Sequence, residues 1–312
     1  MKTRKIMLMA VLTGLTFTTG TTMVSCSDSD DINDIGKNCP ITLTTETVRA
    51  DSRSADQSLQ NNQFANGAQV GIFLLGDNAG TPIDIGFAQP LTYTADGTGG
   101  LANEQYWPSD GGSLHIFGVY PANAATAYNA TGVTFSVQTD QSSDANFMAS
   151  DLMTGAPASN PVARTSAAVP LTFTHLLSKV DINLTAGGGV AASDLTNADV
   201  YIMGMKCTTT FNMTDNTVSA ATGTATDIKT GKGAITSAIV IPGQTVAAGT
   251  NFIKVVSGTK NYIYQMGSAT TIGQSSNYTY NLSVEETGLV LSGVSITPWT
   301  AVGPVNGVAI IQ

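Results

Sequence analysis

Apolar and polar residues alternate over short distances along most of this chain. "GVTFSVQT" (132–139) alternates, and "VPLTFTHLLSKVDINLTA" (169–186) holds two alternating pieces: Leu171 and Phe173, then Val180, Ile182 and Leu184. A period of two places one set of side chains on one face of a strand, so each piece predicts a strand with a buried face and a wet face. "VGIFLLG" (70–76) and "SLHIFGVYP" (113–121) are short apolar runs closed by Gly and Pro, which is also a strand signal. "NFIKVVSG" (251–258), "KNYIYQM" (260–266) and "NYTYNLSV" (277–284) continue the theme. "NADVYIMGMK" (197–206) is apolar enough for a helix, but its branched and aromatic residues favour a strand. Long helical periodicity is nearly absent. The pattern predicts an all-β chain of many short strands packed as β-sandwiches. "GGG" (187–189) ends a strongly alternating strand and is the best candidate break, which gives two sandwiches of about 130 residues each. The polar stretch 214–233 reads as a long loop or an edge hairpin.

The N-terminal pattern differs. Lys2, Arg4 and Lys5 precede the apolar run "IMLMAVLTGLTF" (6–17), which is too short to span a bilayer. Small residues then lead to Cys26. A positive start, a short apolar core, small residues and a cysteine resemble a bacterial lipoprotein signal, cut before the cysteine that receives the lipid. Residues 1–25 are thus expected to be removed and Cys26 to be lipidated. The alternative is an ordinary signal with an incidental cysteine. Ser27, Asp28, Ser29, Asp30 and Asp31 cannot pack, and they form a solvated tether. "SDSDD" also looks like the serine-and-acid tracts of surface-exported lipoproteins in some Gram-negative anaerobes. After the signal no stretch is long enough to cross a membrane.

Charge narrows the function. Only 11% of the 312 residues are charged, and the net charge is −9. A nucleic-acid partner needs a basic surface, so none is expected. Cys39 and Cys207 either pair or stand as two small free residues, the latter being favoured. Two histidines, His115 and His175, are too few for a usual zinc set, and each reads as a strand residue with a hydrogen-bonded ring. No nucleophile elbow, zinc-protease helix or phosphate loop occurs. Asp110 and Asp151 are candidates for a glycan-cleaving carboxylate pair only because they sit in predicted loops. Glu285 and Glu286 read as a solvated turn, and Trp107 as a core residue rather than an exposed stacking platform. No enzyme activity, metal or cofactor is expected.

Five segments in order carry a resemblance: "YWPSDGGSLHIFGVYP" (106–121), "DLMTGAPA" (151–158), "LTFTHLLSKVDINL" (171–184), "IVIPGQTV" (239–246) and "NYTYNLSV…GVSITPW" (277–299). Together the set resembles the fimbrillin-like proteins of type V pili. The resemblance implies two transthyretin-like β-sandwich domains in tandem, export as a lipoprotein to the outer membrane, and assembly into a surface fimbrium that supports adhesion. It also implies that an arginine-specific protease removes an N-terminal strand, and that a strand from a neighbouring subunit replaces it. On this reading residues 26–53 are tether and propeptide, 54–187 the N-terminal sandwich, and 188–312 the C-terminal sandwich. Residues 41–47 would be the provisional strand, with Ile41 and Leu43 on one face. Arg49 and Arg53 are the expected cleavage positions; the other arginines are Arg4 and Arg164, and no Arg or Lys occurs from 54 to 163. The apolar C-terminal segment "VNGVAIIQ" (305–312) is a donor strand or the last strand of its own domain. Expected partners are other subunits in a head-to-tail polymer, the membrane through the lipid, and a host or bacterial surface receptor. The competing reading is a monomeric surface lipoprotein that binds glycan or host protein. The position in a fibre, stalk or tip, is left open.

Overall fold

A computed structural model describes residues 39–47, 64–128 and 132–299. The chain is nearly all β, as the alternation requires, with twenty strands and short helices among the described residues. The first half contains β1 (Leu43–Thr47), β2 (Gln69–Asn78), β3 (Thr81–Ile83), β4 (Leu91–Ala95), β5 (Gly100–Ala102), β6 (Leu114–Tyr120), β7 (Val133–Ser136), β8 (Met153–Ala156) and β9 (Val169–His175), with the helix α1 (Asp144–Ser150) before β8. All of these but β7, which pairs with a later strand, form one sheet in the order β3-β2-β4-β5-β1-β9-β8-β6, and β6 also pairs with β2. Seven strands therefore close on themselves, with β3 hung on the outside. A closed ring leaves no unpaired edge of the kind that draws in other chains.

The second half contains β10 (Ser178–Ala186), the short helix α2 (Ala192–Leu195), β11 (Asp199–Met205), β12 (Thr208–Phe211), β13 (Thr226–Lys232), β14 (Ile235–Val240), β15 (Thr245–Val246), β16 (Asn251–Ser257), β17 (Lys260–Gln265), β18 (Thr270–Thr271), β19 (Ser276–Glu285) and β20 (Gly288–Pro298). Two four-stranded sheets, β14-β10-β19-β20 and β13-β11-β16-β17, enclose one core that includes Val180, Ile182, Val200, Ile253 and Tyr280. The polar stretch 214–233 ends in β13, an edge strand. β10 pairs with β14 and β19, so the change of sheet falls at Leu176–Leu177 and not at the glycines 187–189, which form a turn after β10.

The two halves share packing. Along β2, Val70, Ile72 and Leu74 point into the ring, while Phe73 and Leu75 join the cluster that continues into the second half. β6 does the same with Ile116 inward and Phe117 and Val119 outward. Burial on both faces is why these segments read as continuous apolar runs rather than alternations. β20 is the opposite case. Val294 and Ile296 lie opposite the buried Tyr280 and Tyr278 and share their face, yet they are 51% and 57% exposed.

Cys207 is a free, half-buried thiol, so it does not pair with Cys39. Cys39 is disulfide-bonded, so the reading of two free cysteines holds at Cys207 alone.

Candidate functional site

One short strand, β1, sits between β5 and β9 in the ring. "ITLTTET" is rich in β-branched residues, which suit a pleated strand, and every second one is apolar or small enough to bury. Ile41, Leu43 and Thr45 are 3%, 1% and 5% exposed and face the ring interior. On one side β1 runs parallel to β9, with Leu43 opposite Val169 and Thr47 opposite Phe173. On the other side its antiparallel ladder with β5 covers only Leu43 opposite Leu101 and Thr44 opposite Gly100. Outlying bonds extend the contact: the Ile41 N–H donates to the Gln105 carbonyl at 2.8 Å, and the Thr45 N–H to the Gly99 carbonyl at 2.7 Å.

The floor beneath β1 is tightly built. Leu171 and Phe173 of β9 are fully buried, and the Phe173 ring meets Phe64 edge to face at 5.0 Å. Gly118 and Gly155 make room for that ring: a Cβ on either would come within 2.4 Å or 2.6 Å of Phe173 carbon atoms. Tyr93 on β4 is buried with no partner for its hydroxyl, and the Trp107 indole N–H is likewise unpartnered. Trp107 is thus a core residue, as expected, at 2% exposure.

The other residues singled out in the sequence separate cleanly. His115 Nε2 lies 2.8 Å from Asp77 Oδ1, and His175 Nδ1 lies 2.7 Å from Asp151 Oδ1, so both rings are hydrogen-bonded residues of β6 and β9. The second pair is fully buried, and Trp299 stacks on His175 with ring centres 3.9 Å apart. Asp110 sits in an exposed turn and accepts from the Gly112 N–H. One carboxylate is sealed and the other is in a loop turn, so the two do not form the paired arrangement that glycan cleavage needs. Glu285 ends β19 and Glu286 lies in the turn to β20. Among the described residues no three His, Cys, Asp or Glu converge in a metal-binding group, and no helix is long and apolar enough to cross a membrane. Arg164 is half-buried with its Nε hidden. Cys26, Arg49, Arg53 and segment 305–312 lie outside the described residues.

Sequence reasoning found the inward pair Ile41 and Leu43 but missed their neighbours. The parallel partner β9 lies far along the chain, and only the alternation of Leu171 and Phe173 hints that it shares the ring.

Comparison with known proteins agrees with this architecture. A cell adhesion protein from Bacteroides uniformis superposes with a TM-score of 0.62 at 21% identity, over 84% of this chain and 98% of its own. A second, from Bacteroides ovatus, gives 0.61 at 15% identity over 85% and 99%. A fimbrial protein from Bacteroides vulgatus gives 0.49 at 15% identity over 83% and 99%. At these identities the first two likenesses concern the fold. No curated protein matches the chain. The sequence profile of the fimbrillin-like family matches residues 49–299, well over half the length, so the chain belongs to the fimbrillin-like family.

Proposed function

We propose that this protein is a structural subunit, stalk or tip, of a cell-surface fimbrium assembled by strand exchange. The observation that carries this reading is β1: one short strand, at the N-terminal end of the described chain, closes an otherwise contiguous sheet. The two halves are read as tandem domains of transthyretin-like type, the first closed into a ring only while β1 occupies its seam. The precursor is lipidated on Cys26 and held at the outer membrane. Cutting after Arg49 or Arg53 severs residues 39–47 from the body, and residues 305–312 of another copy take their place. Val308 and Ile310 repeat the spacing of Ile41 and Leu43, two residues apart and so on one face. Strand addition then satisfies the backbone groups of the opened edge, while the alternate side chains fill the pockets. The start of the family match at residue 49 supports treating 39–47 as separable. In this reading the fibre supports adhesion to a host or bacterial surface, and the subunit itself performs no catalysis.

The test is made in cells. Replacing Arg49 and Arg53 together by Ala is expected to leave an uncut monomeric precursor. Deleting 305–312 is expected to allow cutting but to stop growth beyond one subunit. Polymer ladders of normal length from the deletion would remove the donor role, and ladders from the double variant would remove the processing step. Cys26→Ala is expected to abolish fatty-acid labelling.

A further inference from the structure

The ladder between β1 and β5 contains an interruption with a shape. Leu43 faces Leu101 and Thr44 faces Gly100. An unbroken ladder would set Pro40 opposite Glu104. Pro40 instead faces Tyr106, and the Ile41 N–H reaches the Gln105 carbonyl. The β5 side therefore carries two extra residues and bows away from β1 at Ala102–Glu104, as a strand does at a bulge. The bow is pinned toward β4 rather than toward β1. Ala102 pairs with Thr94, and the Asn103 side-chain amide donates to the Thr92 carbonyl at 2.8 Å. The Gln105 amide in turn donates to Asn103 Oδ1 at 3.2 Å. What remains between the two walls is a cleft of about 490 Å³, bounded by residues 40–42 on one side and 101–106 on the other. Tyr106 stands 45% exposed beside it. The far end of the same seam has no such gap, because both the Thr45 N–H and its hydroxyl bond to the Gly99 carbonyl.

We propose that this cleft is the docking point at which the C-terminal segment of a second copy first engages, before it replaces residues 39–47. The inference rests on the strand-exchange reading above. The occupant is an extended apolar peptide. The stretch Ala102–Glu104 forms no ladder with β1, which leaves room there for an incoming strand, and the exposed Tyr106 supplies an apolar wall. Thirteen residues follow Trp299, enough at about 3.3 Å each to span roughly 43 Å, which is far more than the seam requires. Starting here, the newcomer gains contacts before the resident loses any. The resident then leaves from its Pro40 end, which the β5 side holds beyond the bow by a single bridge, with the Ile41 N–H donating to the Gln105 carbonyl and the Trp107 N–H to the Cys39 carbonyl. A displacement that began at Thr45 would have to break both ladders first.

The experiment measures displacement directly. The chain from residue 27 onward is cut with an arginine-specific protease. It is then mixed at low concentration with an excess of fluorescent peptide of sequence 300–312. Ala102 is exposed, so Ala102→Phe fills the cleft without entering the core. It is expected to slow peptide uptake about tenfold or more, within the one to three decades by which association rates vary among variants of one interface. Thr98→Phe, exposed at the far end of the seam, is expected to leave the rate within about twofold. Tyr106→Asp, at the mouth, is the second variant should Ala102→Phe misfold, and is also expected to slow uptake. If the cut wild type takes up no peptide, the strand-exchange reading itself fails. If the wild type takes it up and the cleft variants do so equally fast, the docking point is wrong while strand exchange stands. Equal slowing by Thr98→Phe would likewise overturn a docking point at this end.

Discussion

Tyr93, Tyr120 and Tyr280 each hold a phenol whose pKa is pushed upward by burial, and at Tyr120 the Asp151 charge adds to the effect. An unfolded chain releases these protons near pH 10, whereas the folded chain keeps them. Below that pH both states are protonated and the stability is complete. Above it the folded state binds more protons than the unfolded one, so stability falls as pH rises. Tyr93 is the informative member, because its buried hydroxyl has no partner. Removing an unsatisfied buried polar group costs nothing and can contribute about 1 kcal/mol. Tyr93→Phe is therefore expected to be neutral or mildly stabilising in urea unfolding at pH 7, and to lose less stability than the wild type above pH 10. A loss of 2 kcal/mol or more at pH 7, on the order of a cavity or a broken hydrogen bond, would show that the hydroxyl is satisfied in solution. The residue scale also shows where chemistry ends: Asp151 is spent on His175, and the pair is sealed beneath Trp299.

At the scale of elements, β1 is held by its side chains as well as by its ladders. Burying Ile41 and Leu43 contributes roughly 3–6 kcal/mol of gross transfer free energy, while each backbone bond contributes about 1 kcal/mol net. Leu43→Ala in the uncut precursor is accordingly expected to weaken the seam by about 2–5 kcal/mol, seen as earlier urea unfolding or faster proteolysis of segment 39–47. Thr42 is exposed, so Thr42→Ala is expected to stay within about 0.5 kcal/mol. Equal effects of the two would mean that β1 is not seated as described. This element also marks the limit of what the sequence could tell. The alternation of Ile41 and Leu43 is local and therefore legible. Closure of the ring depends on the pairing of β6 with β2 and of β1 with β9, and neither leaves a local pattern. The position of the sheet change has a similar cause. The chain changes sheets at Leu176 and Leu177, which are 1% and 0% exposed. A crossing that runs through the core must be apolar, so it lacks the composition of a linker, while the glycines 187–189 mark an ordinary turn. The helix α1 was missed because its seven residues are too few to show a helical period.

At the scale of the whole molecule, residues 54–312 carry 16 acidic and 7 basic groups, a difference of −9. Like-charged copies repel as they approach. Raising the ionic strength from 0.01 to 0.15 M shortens the screening distance from about 30 Å to about 8 Å. Assembly of the cut protein is thus expected to speed up with salt over this range, as followed by light scattering. A rate that falls with salt would point instead to attraction between opposite charges at the joint. In the proposed strand exchange the head-to-tail contact does not close, so each added copy would present a fresh end. The exposed strand β20 gives such a fibre a mechanical character. Any pull on the chain beyond Trp299 enters the body through β20, whose register with β19 runs from Gly288 to Pro298. A load directed along that strand stretches all of its rungs together, whereas a sideways load opens them one at a time. A filament strung through such strands would bear tension along its length and yield to being peeled.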